Sequence, residues 1–67
     1  MPKHDAHEKL RAALVQARLA NGMTQAAVAN VLGRQQSFVS KYESGERTLD
    51  VIEFIKICRV VQIDPAT

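Results

Sequence analysis

One stretch of the sequence reads Gln36-Ser37-Phe38-Val39-Ser40-Lys41-Tyr42-Glu43. At about 100° per helical residue, Phe38, Val39 and Tyr42 fall on one arc, and Gln36, Ser37, Ser40 and Lys41 on the other. The second arc is polar but nearly uncharged, whereas a merely solvated helix face is more often rich in Glu and Lys. Its groups can pair with nucleobase edges and phosphates. The Gln36 amide matches N6 and N7 of adenine, and Lys41 reaches guanine O6 and N7 or a phosphate. The shorter Ser37 and Ser40 suit bases, phosphates or plain solvation equally. Gln25 opens an earlier helical segment, where free backbone N–H groups and the positive dipole end favour a phosphate oxygen. Arg34 and Arg47 flank the stretch, as phosphate-binding cations or as isolated surface charges.

Other chemistries lack their residues. No nucleophile, base and orienting group cluster in the sequence, and no glycine-rich phosphate loop is present, so the chain reads as no enzyme. Cys58 is the sole cysteine, which excludes an intrachain disulfide and a four-cysteine zinc site and suits a reducing compartment. Its place on an apolar helix face reads as a packed thiol. His4 and His7, three residues apart with no third ligand nearby, read as surface residues, so no metal or cofactor is expected. With two Phe, one Tyr and no Trp, the aromatic rings are better used in a core than as base-stacking platforms. No run approaches the roughly 18 apolar residues of a membrane span, and Met1 to Lys9 lacks the apolar segment of a signal peptide. The expectation is a soluble, cytoplasmic chain with no membrane partner.

The elements that must position these groups are helices. In 67 residues with 46% hydrophobic and 24% charged composition there is room for one small globular domain, 1–67. Its ordered core is expected over about 5–63, with flexible tails at 1–4 and 64–67. A net charge of +2 permits an anionic partner without requiring one. Asn21-Gly22, Leu32-Gly33 and Ser44-Gly45 each stand where a helical apolar pattern stops, as helix C-caps do. Nothing alternates with the period of two that a strand needs, so the fold class is all-α, a bundle of four to five short helices.

The first helix starts near Asp5 and runs to about Asn21, with Leu10, Leu14, Ala17 and Arg18 on one face. The second has Thr24 as N-cap, Met23 and Val28 as a hydrophobic staple, and Val28, Ala29 and Leu32 facing the core. A turn of Gly33, Arg34 and Gln35 leads to the third, Gln36 to Ser44. The fourth opens with Asp50 and Glu53 as a capping box, stapled by Leu49 and Phe54, and continues to about Val61. Its expected core face is Val51, Phe54, Ile55, Cys58 and Val61, with Ile52, Ile57 and Val60 outside it or at its edge. That apolar excess suits a second subunit, or packing on the first helix or the C-terminal tail. Asp64-Pro65 resembles a further helix start.

Two short helices joined by a three-residue, glycine-led turn have the geometry of a helix-turn-helix, although such turns also join helices in ordinary bundles. Met23-Thr24-Gln25, Val28-Ala29, Leu32-Gly33, the Gln36 to Glu43 segment and Gly45-Glu46-Arg47 together resemble the phage-repressor and Cro-type helix-turn-helix family, over about Leu10 to Ile63. The resemblance implies a lambda-repressor-like bundle that binds double-stranded operator DNA in the major groove, usually as a homodimer, and regulates transcription. It implies base reading by Gln36, Ser37, Ser40 and Lys41, and backbone contacts by Gln25, Arg34, Gln35 and Arg47, Arg47 more than Arg34. Gln35 departs from the family pattern, which often has Ser or Thr there as helix cap; glutamine caps less well. Arg18 lies against the apolar stripe of its helix, an expensive place for an unpaired charge. The family pairs the equivalent arginine with the residue at Glu43, so an Arg18 to Glu43 ion pair is expected to orient the third helix.

The sequence thus reads as a transcriptional regulator, a repressor or autoregulator. A phage-type repressor, a restriction-modification controller and an antitoxin all fit. The alternative is a helical protein-interaction module, such as an antitoxin-type partner binder, with weak or lost DNA binding.

Overall fold

The computed structural model describes residues 5–63. The expected tails, His4 and the Asp64-Pro65 helix start lie outside the described residues. Four helices follow in order, α1 (Asp5–Ala20), α2 (Gln25–Leu32), α3 (Gln36–Ser44) and α4 (Val51–Val60), with no strand among the described residues.

Their starts follow from local chemistry. Thr24 is extended, at φ −84°, and its hydroxyl accepts from the Ala27 N–H at 3.0 Å, satisfying a donor that the first turn of α2 leaves free. Asp50 accepts from the Glu53 N–H at 2.7 Å while the Glu53 carboxylate accepts from the Asp50 N–H at 3.0 Å, a complete capping box. Gln35 takes the N-cap backbone geometry of α3 but its side chain makes no capping bond. Its amide has more rotamers to order than a serine hydroxyl and a poorer reach to the N–H groups one turn on.

All four helices stop in the same way. The N–H of Met23, Arg34, Glu46 and Ile63 donates to the carbonyl five residues earlier, that of Arg18, Ala29, Lys41 and Cys58, at 2.8 to 3.0 Å. The residue before each donor must be left-handed. Gly33 and Gly45 meet this at φ +71° and +91°, where a Cβ is penalised, and Gly22 takes the same role for α1. At the end of α4 the position falls to Gln62, at φ +64° without the freedom of glycine. The Asn21 side-chain amide donates both to Ala17 O and to Val61 O, tying the ends of α1 and α4 together.

The core is Leu14 from α1, Val28 and Ala29 from α2, Phe38, Val39 and Tyr42 from α3, Ile57 and Cys58 from α4, and Val61. Met23, Leu32, Leu49 and Phe54 pack around it. Each fully buried aliphatic side chain here stabilises the fold by about 1.5 to 3 kcal/mol. The buried face of α4 differs from the expectation. Ile57 is completely buried, whereas Val51 is 72% exposed. Ile57 lies within about 60° of both Phe54 and Val61 around the helix, and so at the middle of the face that meets α2 and α3. Val51 sits in the first turn, beyond the reach of the other helices. Leu10 is likewise half exposed, near the start of α1.

Candidate nucleic-acid interface

The two arcs of α3 separate as its sequence requires. Phe38, Val39 and Tyr42 are buried, with Phe38 and Tyr42 in edge-to-face contact at 5.4 Å. Burial pushes the Tyr42 phenol up to about 12. Gln36, Ser37 and Lys41 are exposed, and Ser40 is half buried with its hydroxyl donating to Ser37 O at 3.2 Å. That bond occupies the Ser40 proton and leaves its oxygen to accept.

A chain of polar side chains runs from α1 to the exposed arc. Arg18 Nε and Nη2 donate to the two carboxylate oxygens of Glu43 at 2.7 and 3.0 Å, and Nη1 donates to Met23 O at 3.0 Å. Only 12% of the Arg18 side chain and 7% of that of Glu43 are exposed. The bond to Glu43 raises the guanidinium pKa further, outweighing the opposing effect of burial. Glu43 Oε1 also accepts from Gln25 Nε2 at 2.9 Å. A carboxylate can only accept, so Gln25 must turn its nitrogen toward Glu43 and its oxygen away. That oxygen accepts from Gln36 Nε2 at 3.4 Å, a long bond. Gln36 is thereby left with a free oxygen and one free N–H, the acceptor and donor pair that matches an adenine edge.

Beside the turn between α2 and α3 a second cluster forms. The guanidinium carbons of Arg34 and Arg47 lie 3.9 and 4.8 Å from the centroid of the Phe38 ring. Arg47 donates bidentately to Glu53 at 2.9 and 3.0 Å, while Arg34 reaches the same carboxylate only at 3.6 Å. The Arg47 hydrogen bonds, with the Asp50 N–H second, hold the Glu53 carboxyl at about 2, and the same pairing raises Arg47. Arg47 is therefore not an isolated cation, and Glu53 does two jobs. Its place three residues after Asp50 reveals only the capping one; the pairing with Arg47 depends on how the loop before α4 folds back. Gln35 is exposed at the turn.

Of the remaining candidates, Cys58 stays apart from this surface, whereas His7 lines a recess together with Arg11 and Arg47. Cys58 is fully buried, and burial pushes its thiol up, so it is a protonated core side chain. His7 is exposed, and no group of three His, Cys, Asp or Glu that could hold a metal occurs among the described residues. No helix among them is long and apolar enough to cross a membrane.

A family model described as helix-turn-helix matches residues 14–67, most of the chain. The chain belongs to the XRE/Cro-type helix-turn-helix family. An XRE-family-like protein from Pseudomonas syringae pv. tomato str. DC3000 has a solved structure that superimposes with a TM-score of 0.88 at 52% sequence identity. The match covers 94% of this chain and 78% of that one. No curated protein matches. As a member of this helix-turn-helix family the chain is a transcription regulator that binds double-stranded DNA, and it is not an enzyme.

Proposed function

We propose that this helix-turn-helix protein acts as a repressor or autoregulator by docking α3 in the major groove of operator DNA. The observation that carries the reading is the α3 surface, where exposed Gln36, Ser37 and Lys41 and the Ser40 oxygen stand on a helix anchored from behind by Val39 and Tyr42. Gln36, Ser37, Ser40 and Lys41 read bases, and Gln25, Gln35, Arg34 and Arg47 contact the backbone. The Arg18 to Glu43 pair sets the orientation of Gln25, and through it that of Gln36. Arg34, with its longer contact to Glu53, has more donors to spare for phosphate than Arg47.

The chain works as one domain in the cytoplasm, as a homodimer whose half-sites lie about 34 Å or a multiple of it apart. Val51 and Ile52, 72% and 66% exposed on α4, supply apolar surface for the second copy. The test is selection of preferred duplexes from a random pool, followed by affinity at two salt concentrations. Binding that neutralises several phosphates weakens steeply with salt. Gln36→Ala relaxes preference at one base position, while Gln25→Ala weakens all duplexes and, through the shared bond, also loosens that position. Flat, negligible affinity would defeat the reading in favour of a protein-interaction module.

A further inference from the structure

Arg11, on α1 and outside every motif considered above, packs against the far end of α3. Its guanidinium carbon, Nη2 and Nε lie 3.0, 3.2 and 3.4 Å from where a Cβ on Gly45 would stand. A Cβ at position 45 would crowd the guanidinium, which would have to give by a few tenths of an ångström. The left-handed glycine therefore both ends α3 and seats an arginine on its carboxyl-terminal end. The helix does not need that arginine as a cap. The Lys41 and Tyr42 carbonyls already accept from the backbone N–H groups of Gly45, Glu46 and Arg47.

Arg11 also differs from the neighbouring arginines in how its donors are used. Arg18 is engaged by Glu43 and Met23 O, and Arg34 and Arg47 share Glu53. Among the described residues Arg11 makes no hydrogen bond and no ion pair. Glu46, beside Gly45, accepts from the Ser44 hydroxyl and does not pair with Arg11. Yet it is half buried, held along a recess of about 90 Å³ with Leu10, Leu14, Tyr42, Arg47 and Leu49. A guanidinium with its donors unspent and its stem held by packing loses little conformational freedom on meeting an anion.

The position indicates which anion. A nine-residue helix such as α3 spans about 13 Å, close to the roughly 12 Å width of the major groove, so each end meets a phosphate strand. At the amino end stand Gln25 and the first turn of α2. The carboxyl end carries the negative end of the helix dipole and exposed Glu46, both of which repel phosphate. From this we infer that Arg11 binds a DNA backbone phosphate at the carboxyl end of α3, offsetting that repulsion. The inference rests on the docking of α3 proposed above.

The experiment measures the dissociation constant of the full chain for a selected duplex across a salt series, for wild type, Arg11→Gln and Arg11→Lys, with thermal unfolding of each. Arg11→Gln is expected to weaken binding about five- to tenfold and to lower the slope of log affinity against log salt by about one, at unchanged melting temperature. Arg11→Lys restores the slope because it keeps the charge. If wild type binds with a steep salt dependence and Arg11→Gln has the same affinity and slope, the assignment of Arg11 is overturned while the docking of α3 stands. Loss of affinity with an unchanged slope and a lowered melting temperature overturns it too, as a purely packing role. If wild type shows no salt-dependent duplex binding, the docking itself fails and Arg11 with it.

Discussion

Two arginine–glutamate clusters brace α3 from opposite sides, and they differ in how much water reaches them. The pair of Arg18 and Glu43 is enclosed between α1, α2 and α3, with 12% and 7% of the side chains exposed. The pair of Arg47 and Glu53 has nearly the same bond lengths but leaves 38% of the arginine side chain exposed. Equal geometry does not mean equal energy. Water screens the outer pair, and its arginine can be solvated when the partner is removed; the inner pair has no such alternative. The inner cluster should therefore govern stability and the aim of α3, and the outer one mainly local order at the turn and the α4 start.

The sharpest way to break this contrast is Arg18→Ala. It leaves Glu43 enclosed with only Gln25 as a partner and should cost about 3 kcal/mol in urea unfolding. A loss under about 1 kcal/mol would make the inner pair no different from a surface one.

The two clusters also predict opposite pH limbs. Tyr42, packed beside the inner pair, has its pKa raised from 10.0 to about 12, so its contribution to stability is fully present below pH 10 and is lost as pH rises toward 12. Ultraviolet titration of the phenol checks this: a midpoint at 10 in the folded protein would show that the ring is solvated. Glu53 has its pKa lowered from 4.5 to about 2, so the stability it contributes is present above pH 4.5 and is lost as pH falls toward 2. Glu53→Gln should flatten that acid limb in a series of melting temperatures, and an unchanged limb would assign it to other carboxylates.

Smaller effects sharpen the description of the outer cluster. Asp50→Ala removes the side-chain acceptor of the Glu53 N–H, and with it the cap of α4, costing about 1 kcal/mol in thermal unfolding. Arg34→Ala breaks only a 3.6 Å contact of a half-exposed side chain, so its stability change should stay under about 0.5 kcal/mol. A larger loss would mean that its stacking on Phe38 supports the turn.

The element boundaries were legible because they depend on neighbours in the chain. Thr24, the pairing of Asp50 with Glu53, and the glycines at 22, 33 and 45 mark starts and stops through bonds spanning three to five residues. Gln62 carries no such mark, since it is left-handed only because Ile63 must donate back to Cys58 O while Val61 stays buried. The centre of the α4 face was misplaced for a related reason. The helical period shows which apolar residues share a side, but Val51 and Ile57 are told apart only by where α2 and α3 lie.

The candidate surface shows the same division. The polar arc of α3 and the residues Gln25, Arg34 and Arg47 stand out by type and spacing. That Gln25 is oriented by Glu43, that Arg47 is held by Glu53, and that Arg11 reaches Gly45 are contacts across 18, 6 and 34 positions of the chain.

By itself, then, the sequence determined the helices, the caps at Thr24, Asp50 and the three glycines, the turn between α2 and α3, and the polar face of α3. These rest on backbone hydrogen bonds and on a 3.6-residue period that act within a few residues. Only the tertiary structure decided which charges are paired, how deeply each is shielded and which arginine keeps its donors free. Electrostatic strength depends on distance and on the water between groups, and both are set by how the four helices pack.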